Sequence, residues 1–339
     1  MILRLSVLLL SILFNFTGIA QVQVSLQHDG LDRTFKYVTP SGWTNSSSLP
    51  VVFLLHALTQ DGDQVMGVTQ FDALAESNNF ILVYPDGING AWNANMNVSV
   101  SQADDLGFLE KVIDYVQLNL NSDPSRQYLC GMSNGGFMSY KLACESRHCF
   151  AAIASVSGTM SDTVNLNCLP SNRPHILHMH GTADGVVSYF GSPTTGISVD
   201  QLTEKWRSYL GCDPTPVFSA MPNPNLLDLS YPEKYTYTNC DLGSLELIKI
   251  IGGGHQWPGI ITIWGGLGTI NMDFYSPQII WDFFNGKTCQ TTDVSEIDSI
   301  ETETILLRTD LMGREINENT KGIQLIHYTN GETRKVFVD

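Results

Sequence analysis

Three residues of this chain have the types and the spacing to perform acyl transfer. Ser133 lies in Gly131-Met132-Ser133-Asn134-Gly135, a G-x-S-x-G pattern between a short apolar run (Gln127–Cys130) and a helical pattern (Phe137, Tyr140, Leu142, Ala143). That strand–turn–helix context holds a serine hydroxyl clear of the backbone beside the free N–H groups of a helix start. Asp184 follows an apolar run, His175 to Met179, through His180-Gly181-Thr182-Ala183. A carboxylate just past a strand's C-terminal end lies on the same sheet edge as the serine. His255 stands in the glycine-rich loop Gly252 to Gly259, after a third apolar run, Glu246 to Ile251. An imidazole there would take the proton of Ser133 and return it to the leaving group, with Asp184 fixing its tautomer. Asp213, Asp228 and Asp241 also lie between Ser133 and His255, but only Asp184 closes an apolar strand.

Acyl transfer also needs donors for the oxyanion. The backbone N–H of Asn134, next to the nucleophile, is one candidate. The second is expected in the loop after an early central strand. Val51–Leu55 is an unbroken, β-branched-rich run suited to burial on both faces, and it leads to His56-Ala57-Leu58-Thr59-Gln60. The N–H of Leu58 is the candidate there; Gln60 and Asp61 either shape that loop or are simply solvated. His175, His178 and His180 raise a metal site as an alternative. Only His178 and His180 share a strand face, and no carboxylate or cysteine has matching spacing. No metal is therefore expected, and His180 is read as ordering the acid loop.

These residues need a scaffold. Strands are expected at Thr34–Val38, Val51–Leu55, Phe80–Tyr84, Gln127–Cys130, Ala151–Val156, His175–Met179 and Glu246–Ile251. Leu106, Leu109, Ile113, Val116 and Leu120 repeat at helical spacing behind Asp104-Asp105. Ser276-Pro277 reads as the N-cap and first position of a final helix through Phe284. Such alternation predicts an α/β chain with a mostly parallel sheet covered by helices on both faces.

Further motifs stand in order around the catalytic candidates: Asp29-Gly30-Leu31-Asp32-Arg33, Tyr84-Pro85-Asp86-Gly87, Asp104-Asp105-Leu106-Gly107-Phe108-Leu109 and Gly254-His255-Gln256-Trp257-Pro258-Gly259. With Gly131–Gly136 and His180–Asp184, they make residues 25–286 resemble the secreted polyhydroxybutyrate depolymerase-like esterases. That group also takes in feruloyl and acetylxylan esterases. The resemblance implies an α/β-hydrolase fold, cofactor-free ester hydrolysis and the triad Ser133, Asp184, His255. Two positions depart from the family pattern: Ala57 stands where a glycine is usual, and Ser188 where a proline is usual.

For the substrate, the sequence offers aromatics in loops near the catalytic edge: Trp92, Trp257, Trp264 and Tyr189. They could stack on a sugar or a feruloyl ring, or lie along a polyester chain; core packing is the competing reading. The proline-rich stretch Asp213 to Asn239 reads as a long irregular excursion, of the kind that forms lids or binding surfaces.

Composition narrows the rest. A net charge of −16 makes nucleic acid and anionic membrane surfaces poor partners. Arg4, the apolar run Leu5 to Phe16 and Gly18-Ile19-Ala20 read as a secretory signal peptide over residues 1–20. No other segment is long enough to span a bilayer, so the mature chain is expected to be secreted. Seven cysteines then suggest disulfides with one thiol left over. Cys212 and Cys240 are expected to pair, Cys168 to pair with Cys144 or Cys149, Cys289 to take the remaining one, and Cys130 to stay a buried thiol.

A catalytic domain is thus expected over 21–289, an acidic linker over 290–304 (Asp293, Glu296, Asp298, Glu301, Glu303) and an ordered tail over 305–339. In that tail Asn330-Gly331 between apolar runs signals a hairpin. The tail resembles a short C-terminal sorting domain of the type IX secretion system, which implies the secretion machinery as a partner. The expected activity is serine-dependent hydrolysis of feruloyl or acetyl esters on polysaccharide. The alternatives are polyhydroxyalkanoate depolymerisation and, from another class, non-catalytic glycan binding on a hydrolase scaffold.

Overall fold

The computed structural model describes residues 20–170, 172–262, 267–289, 305–310, 314–317, 320–328 and 333–338. The chain divides into two compact units, Met1–Gln290 and Thr291–Asp339. The expected signal peptide, up to residue 19, and the acidic linker over 290–304 lie outside the described residues.

The first unit opens with β1 (Ala20–His28) and β2 (Leu31–Thr39), an antiparallel hairpin. Asp29 and Gly30 turn it with φ of 51° and 73°, the left-handed pair that a two-residue hairpin demands. There follow β3 (Leu49–Leu55), α1 (Gly62–Thr69), α2 (Phe71–Asn78), β4 (Ile81–Pro85), α3 (Asp105–Asn119), β5 (Ser122–Met132), α4 (Asn134–Glu145) and β6 (Ala152–Val156). The unit continues with α5 (Asp162–Asn167), β7 (His175–Gly181), α6 (Val199–Leu210), β8 (Val217–Ala220), β9 (Tyr231–Tyr237), β10 (Leu245–Ile251) and α7 (Ser276–Phe284).

Among the described residues these strands form one sheet in the order β1-β2-β4-β3-β5-β6-β7-β10-β9-β8. From β4 to β10 neighbours run parallel, with antiparallel strands at both edges. The central strands read as unbroken apolar runs because both of their faces are covered. Val51, Phe53, Leu55, Leu129, Ile153 and Ile176 face one buried cluster. Val52, Leu54, Cys130, Ala154, Leu177 and Met179 face the other. Each of the Val, Leu, Ile, Phe and Met side chains among them, lifted fully from water, contributes about 1.5–3 kcal/mol.

Three sequence expectations need correction here. The sequence carries no strand expectation at β1, although Val22, Val24 and Leu26 alternate, because the apolar segment and cleavage pattern just before it are the stronger signal. The stretch from Asp213 to Asn239 is not irregular throughout, since β8 and β9 pair antiparallel within it and β9 adds to β10. Tyr275, not Ser276, caps α7, and the Ser276 hydroxyl donates to the Pro258 carbonyl at 2.7 Å.

Disulfides join Cys144 to Cys168, Cys149 to Cys289 and Cys212 to Cys240, while Cys130 is a buried free thiol. The first choice left open for Cys168 thus falls to Cys144. None of the described helices is long and apolar enough to cross a membrane.

The second unit holds β11 (Ile305–Thr309), β12 (Gly322–Tyr328) and β13 (Thr333–Val338), an antiparallel sheet in that order. The Asn330-Gly331 pair falls between β12 and β13 but lies outside the described residues.

Candidate functional site

Ser133, Asp184 and His255 follow the C-terminal ends of β5, β7 and β10, on one edge of the parallel sheet. Ser133 has φ 53° and ψ −122°, a conformation an L-residue holds only under constraint, at about 1–3 kcal/mol. The constraint is close packing. Its N–H donates to Val156 O at 2.9 Å and its carbonyl accepts from Phe137 N–H at 3.0 Å. A Cβ on Gly135 would collide with the carbonyl of Leu55 and lie 2.6 Å from that of His56, so only glycine lets α4 approach the end of β3. Sequence alone marks these glycines; the packing shows what each makes room for.

Asp184 is fully hydrogen-bonded. Its Oδ1 accepts the backbone N–H groups of Val186 (2.9 Å) and Val187 (2.8 Å). Its Oδ2 lies 2.8 Å from His255 Nδ1 and 3.4 Å from His180 Nε2. Burial alone would raise the carboxyl; the neighbouring imidazoles of His180 and His255 outweigh it and hold the group well below the usual carboxylate range. His255 is therefore backed by a permanent anion. Its loop is tied to the acid loop by Ala183 N–H donating to Gly253 O at 2.9 Å, and to the next segment by its own N–H on Leu267 O at 2.7 Å.

Ser133 and His255 line one cavity of about 390 Å³, together with Leu58, Met132, Val186 and Leu267. Among the described residues no hydrogen bond joins the Ser133 hydroxyl to His255; such contacts commonly tighten only when substrate binds. An imidazole so backed can accept a hydroxyl proton, and a serine at a helix N-terminus can attack an acyl carbon.

The oxyanion candidates flank the same cavity. The Leu58 N–H has no acceptor among the described residues, and Asn134 begins α4, where the N–H has no partner within the helix. The loop carrying Leu58 is braced from within. Gln60 Oε1 accepts the Ala57 N–H at 3.2 Å, and Asp61 forms a capping box with Gln64 on α1. Ala57 is compatible with this turn, because the left-handed residue is Thr59, at φ 68°. His56 accepts from Gly87 N–H through Nε2 (2.9 Å) and donates from Nδ1 to Ala57 O (2.8 Å). That fixes it as a neutral tautomer, and burial lowers its pKa.

Of the four aromatic candidates, three are interior. Trp92, Tyr189 and Trp257 are at most 2% exposed and do not line the cavity. Trp92 is a brace: its indole N–H donates to His56 O at 3.0 Å, and its backbone is gripped by the side-chain amide of Asn134. Trp257 belongs to the core cluster under α7, and Tyr189 packs edge-on against His180. Trp264 lies outside the described residues. The cavity wall is aliphatic instead, with Leu58 and Val186 40% and 49% exposed at its mouth. Isolated aliphatic residues in loops gave no signal in the sequence.

The remaining motifs meet behind the oxyanion loop. Buried Arg33 pairs with buried Asp105 at 2.6 Å and donates to Asp86 O at 3.2 Å. Asp105 accepts the Asn93 N–H at 2.6 Å, and Asp86 accepts the Gly62 N–H at 2.8 Å. Residues from three distant motifs thus anchor the loops on either side of His56.

A parallel sheet with a strained serine turn after β5, an acid after β7 and a histidine after β10 defines an α/β-hydrolase. Residues 29–212 match the Esterase family (described as "Putative esterase"), and the chain belongs to that family.

The chain is 27% identical over 270 residues to a bifunctional acetylxylan esterase/xylanase of Neocallimastix patriciarum, across 77% of this chain and 34% of that protein. It is 25% identical over 278 residues to feruloyl esterase D of Neurospora crassa, across 77% and 84%. A poly(3-hydroxyalkanoate) depolymerase C of Paucimonas lemoignei is 26% identical over 251 residues, across 66% and 58%. The chain therefore spans about a third of the first relative and most of the second. Among solved structures, an acetyl xylan esterase from Aspergillus awamori superposes with a TM-score of 0.57 at 16% identity, across 78% of this chain and 98% of that one.

Proposed function

We propose that the chain is a secreted serine carboxylesterase that removes feruloyl or acetyl groups from polysaccharide. The observation that carries this is the 2.8 Å pair of Asp184 and His255 facing the cavity that Ser133 also lines. In the proposed reaction Ser133 Oγ attacks the ester carbonyl while His255 Nε2 takes its proton. The resulting oxyanion is met by the N–H groups of Leu58 and Asn134. The carbonyl re-forms as the C–O bond to the alcohol breaks, and His255 protonates that leaving oxygen. Water, deprotonated by His255, then attacks the acyl-serine and the acid departs, restoring Ser133. Asp184 keeps its charge throughout.

The polysaccharide reading is supported by the esterases named above; the exposed aliphatic mouth of Leu58 and Val186 favours polyester as the second reading. Export is supported by the N-terminal pattern and by three disulfides; the tail from Ile305 is proposed to engage a type IX secretion machinery.

The test incubates the full chain with feruloylated arabinoxylan, acetylated xylan and polyhydroxybutyrate, beside Ser133→Ala. Ferulate or acetate from the unmutated protein alone supports the proposal, and hydroxybutyrate moves it to polyester. Failure of a fluorophosphonate to label Ser133 in folded protein would support glycan binding without catalysis.

A further inference from the structure

Behind the acid, on the side away from the cavity, a line of buried polar side chains continues from the catalytic pair. His180 Nε2 lies 2.8 Å from Val187 O and 3.4 Å from Asp184 Oδ2. Its Nδ1 lies 3.1 Å from His178 Nε2, and His178 Nδ1 lies 3.0 Å from the hydroxyl of Tyr140 on α4. His178 and His180 share one face of β7 because strand side chains alternate. Tyr140, His178 and His180 are all 0% exposed.

The hydrogen-bond partners decide where the protons are. A carbonyl oxygen only accepts, so His180 Nε2 carries a hydrogen. In a neutral His180, Nδ1 then accepts, so His178 Nε2 carries a hydrogen and His178 Nδ1 accepts from the Tyr140 hydroxyl. The donors in the line run from Tyr140 to His180, whose one Nε2–H goes to Val187 O at 2.8 Å and passes 3.4 Å from Asp184 Oδ2, and each buried nitrogen has its partner. Burial, with His180 alongside, pushes the His178 pKa well down and keeps that ring neutral. The other groups facing the line leave this register intact. Ser155 of β6 is paired beside His178, and Leu247 and Lys249 of β10 are paired beside His178 and His180. Lys249 directs its ammonium over the Tyr189 ring at 5.0 Å, and the Tyr189 hydroxyl donates to Asp200.

We propose that the line Tyr140–His178–His180 positions the acid: His180 holds the carbonyl of Val187, whose own N–H grips Asp184 Oδ1, and lies beside Oδ2, while His178 and Tyr140 fix its tautomer and ring orientation. This rests on the reading of Ser133, His255 and Asp184 given above. His180 touches neither substrate nor reacting atoms; it is a positioning residue. Its effect is to hold the Val187 peptide, and through it the carboxylate, in place against His255.

The test measures kcat, KM and the pH dependence of kcat/KM on a soluble ester. Rates are referred to sites titrated with a fluorophosphonate, so that loss of folded protein is not counted. His180→Leu is expected to lower kcat by about tenfold to a hundredfold with KM unchanged, the range seen when partners that orient a functional histidine are lost. The acid limb of the profile moves to lower pH, because a carboxylate released from the Val187 peptide backs the protonated His255 less closely. His180→Gln, which sets an amide N–H near the lost Nε2–H, is expected to recover most of the rate. Wild-type kcat per titrated site and an unmoved profile in His180→Leu would overturn the proposal, and so would a defect confined to melting temperature. Should His180→Leu not fold, Tyr140→Phe removes a single oxygen; an unchanged kcat and unchanged His178 ring nitrogen shifts there would overturn it equally. Activity surviving in Ser133→Ala would instead overturn the underlying triad, and the proposal with it.

Discussion

The side-chain amide of Asn134 grips the backbone of Trp92 on both sides, its Oδ1 accepting the N–H at 2.7 Å and its Nδ2 donating to the carbonyl at 3.0 Å. Trp92 in turn donates from its indole to the carbonyl of His56, two residues before Leu58. One side chain therefore couples the two places from which the oxyanion donors are proposed to come.

Asn134→Ala keeps the backbone N–H but strands the Trp92 N–H in the interior and leaves the Trp92 carbonyl with only the Ala94 N–H. The expected cost is about 1–3 kcal/mol of stability for the unmade hydrogen bonds. A fall in kcat of about tenfold or more should accompany it, because donor alignment is worth about a hundredfold or more per donor. Urea unfolding and steady-state kinetics on the same preparation check both; wild-type kcat in a destabilised variant would separate the clamp from the oxyanion hole.

Asp184→Asn preserves an acceptor for the N–H groups of Val186 and Val187 but removes the charge behind His255. A loss of about 10⁴ in kcat is expected, the size associated with the wrong imidazole tautomer in a serine triad. Circular dichroism should show an intact fold. A loss smaller than about tenfold would point to another acid.

Acid should destabilise the protein before its carboxylates titrate. His175 is pulled down to about 4 by burial, with Lys287 adding repulsion, and His56, His148 and His178 are also lowered, chiefly by burial. Below the unfolded histidine value of about 6.5, the unfolded chain binds protons that these folded rings refuse, so stability falls as pH drops from about 6.5 toward 4. Asp184, depressed, contributes stability above the unfolded carboxylate value, and loses it only as pH falls through its folded value. Urea midpoints at pH 7 and pH 4.5 should differ, and His175→Gln should narrow the gap; an unchanged gap would remove His175 from this account.

Cys130 lies fully buried in the strand before Ser133, and burial pushes its thiol far up. A thiol reagent should find no reactive cysteine in the native protein and a single one after unfolding without reductant. Closing the 140-residue separation between Cys149 and Cys289 contributes about 5 kcal/mol in the chain-entropy model, so Cys149→Ser should lower the melting temperature more than Cys212→Ser. The reverse order would show that strain or residual structure outweighs loop length.

Much of this molecule was legible in one dimension. The strands carrying Ser133, Asp184 and His255 are buried on both faces, and that burial forces unbroken apolar runs whose ends mark the functional loops. Glycines at 131 and 135 are dictated by backbone packed against backbone. Cysteine count and context bounded the disulfides, although only distance could choose Cys144 over Cys149 for Cys168.

Direction and burial were decided by the tertiary structure. Trp92, Tyr189 and Trp257 stand in loops near the catalytic edge, where an exposed platform and an interior brace look identical in sequence; packing turned all three inward. The cavity wall came from scattered aliphatics at Leu58, Val186 and Leu267, which no periodicity announces. The line from Tyr140 to Asp184 joins a helix, a strand and a loop, and its register depends on which atoms lie within hydrogen-bond reach. Sequence determines residue type and local period; only the folded chain decides which buried polar atoms meet, because an unpaired one is too costly to leave inside.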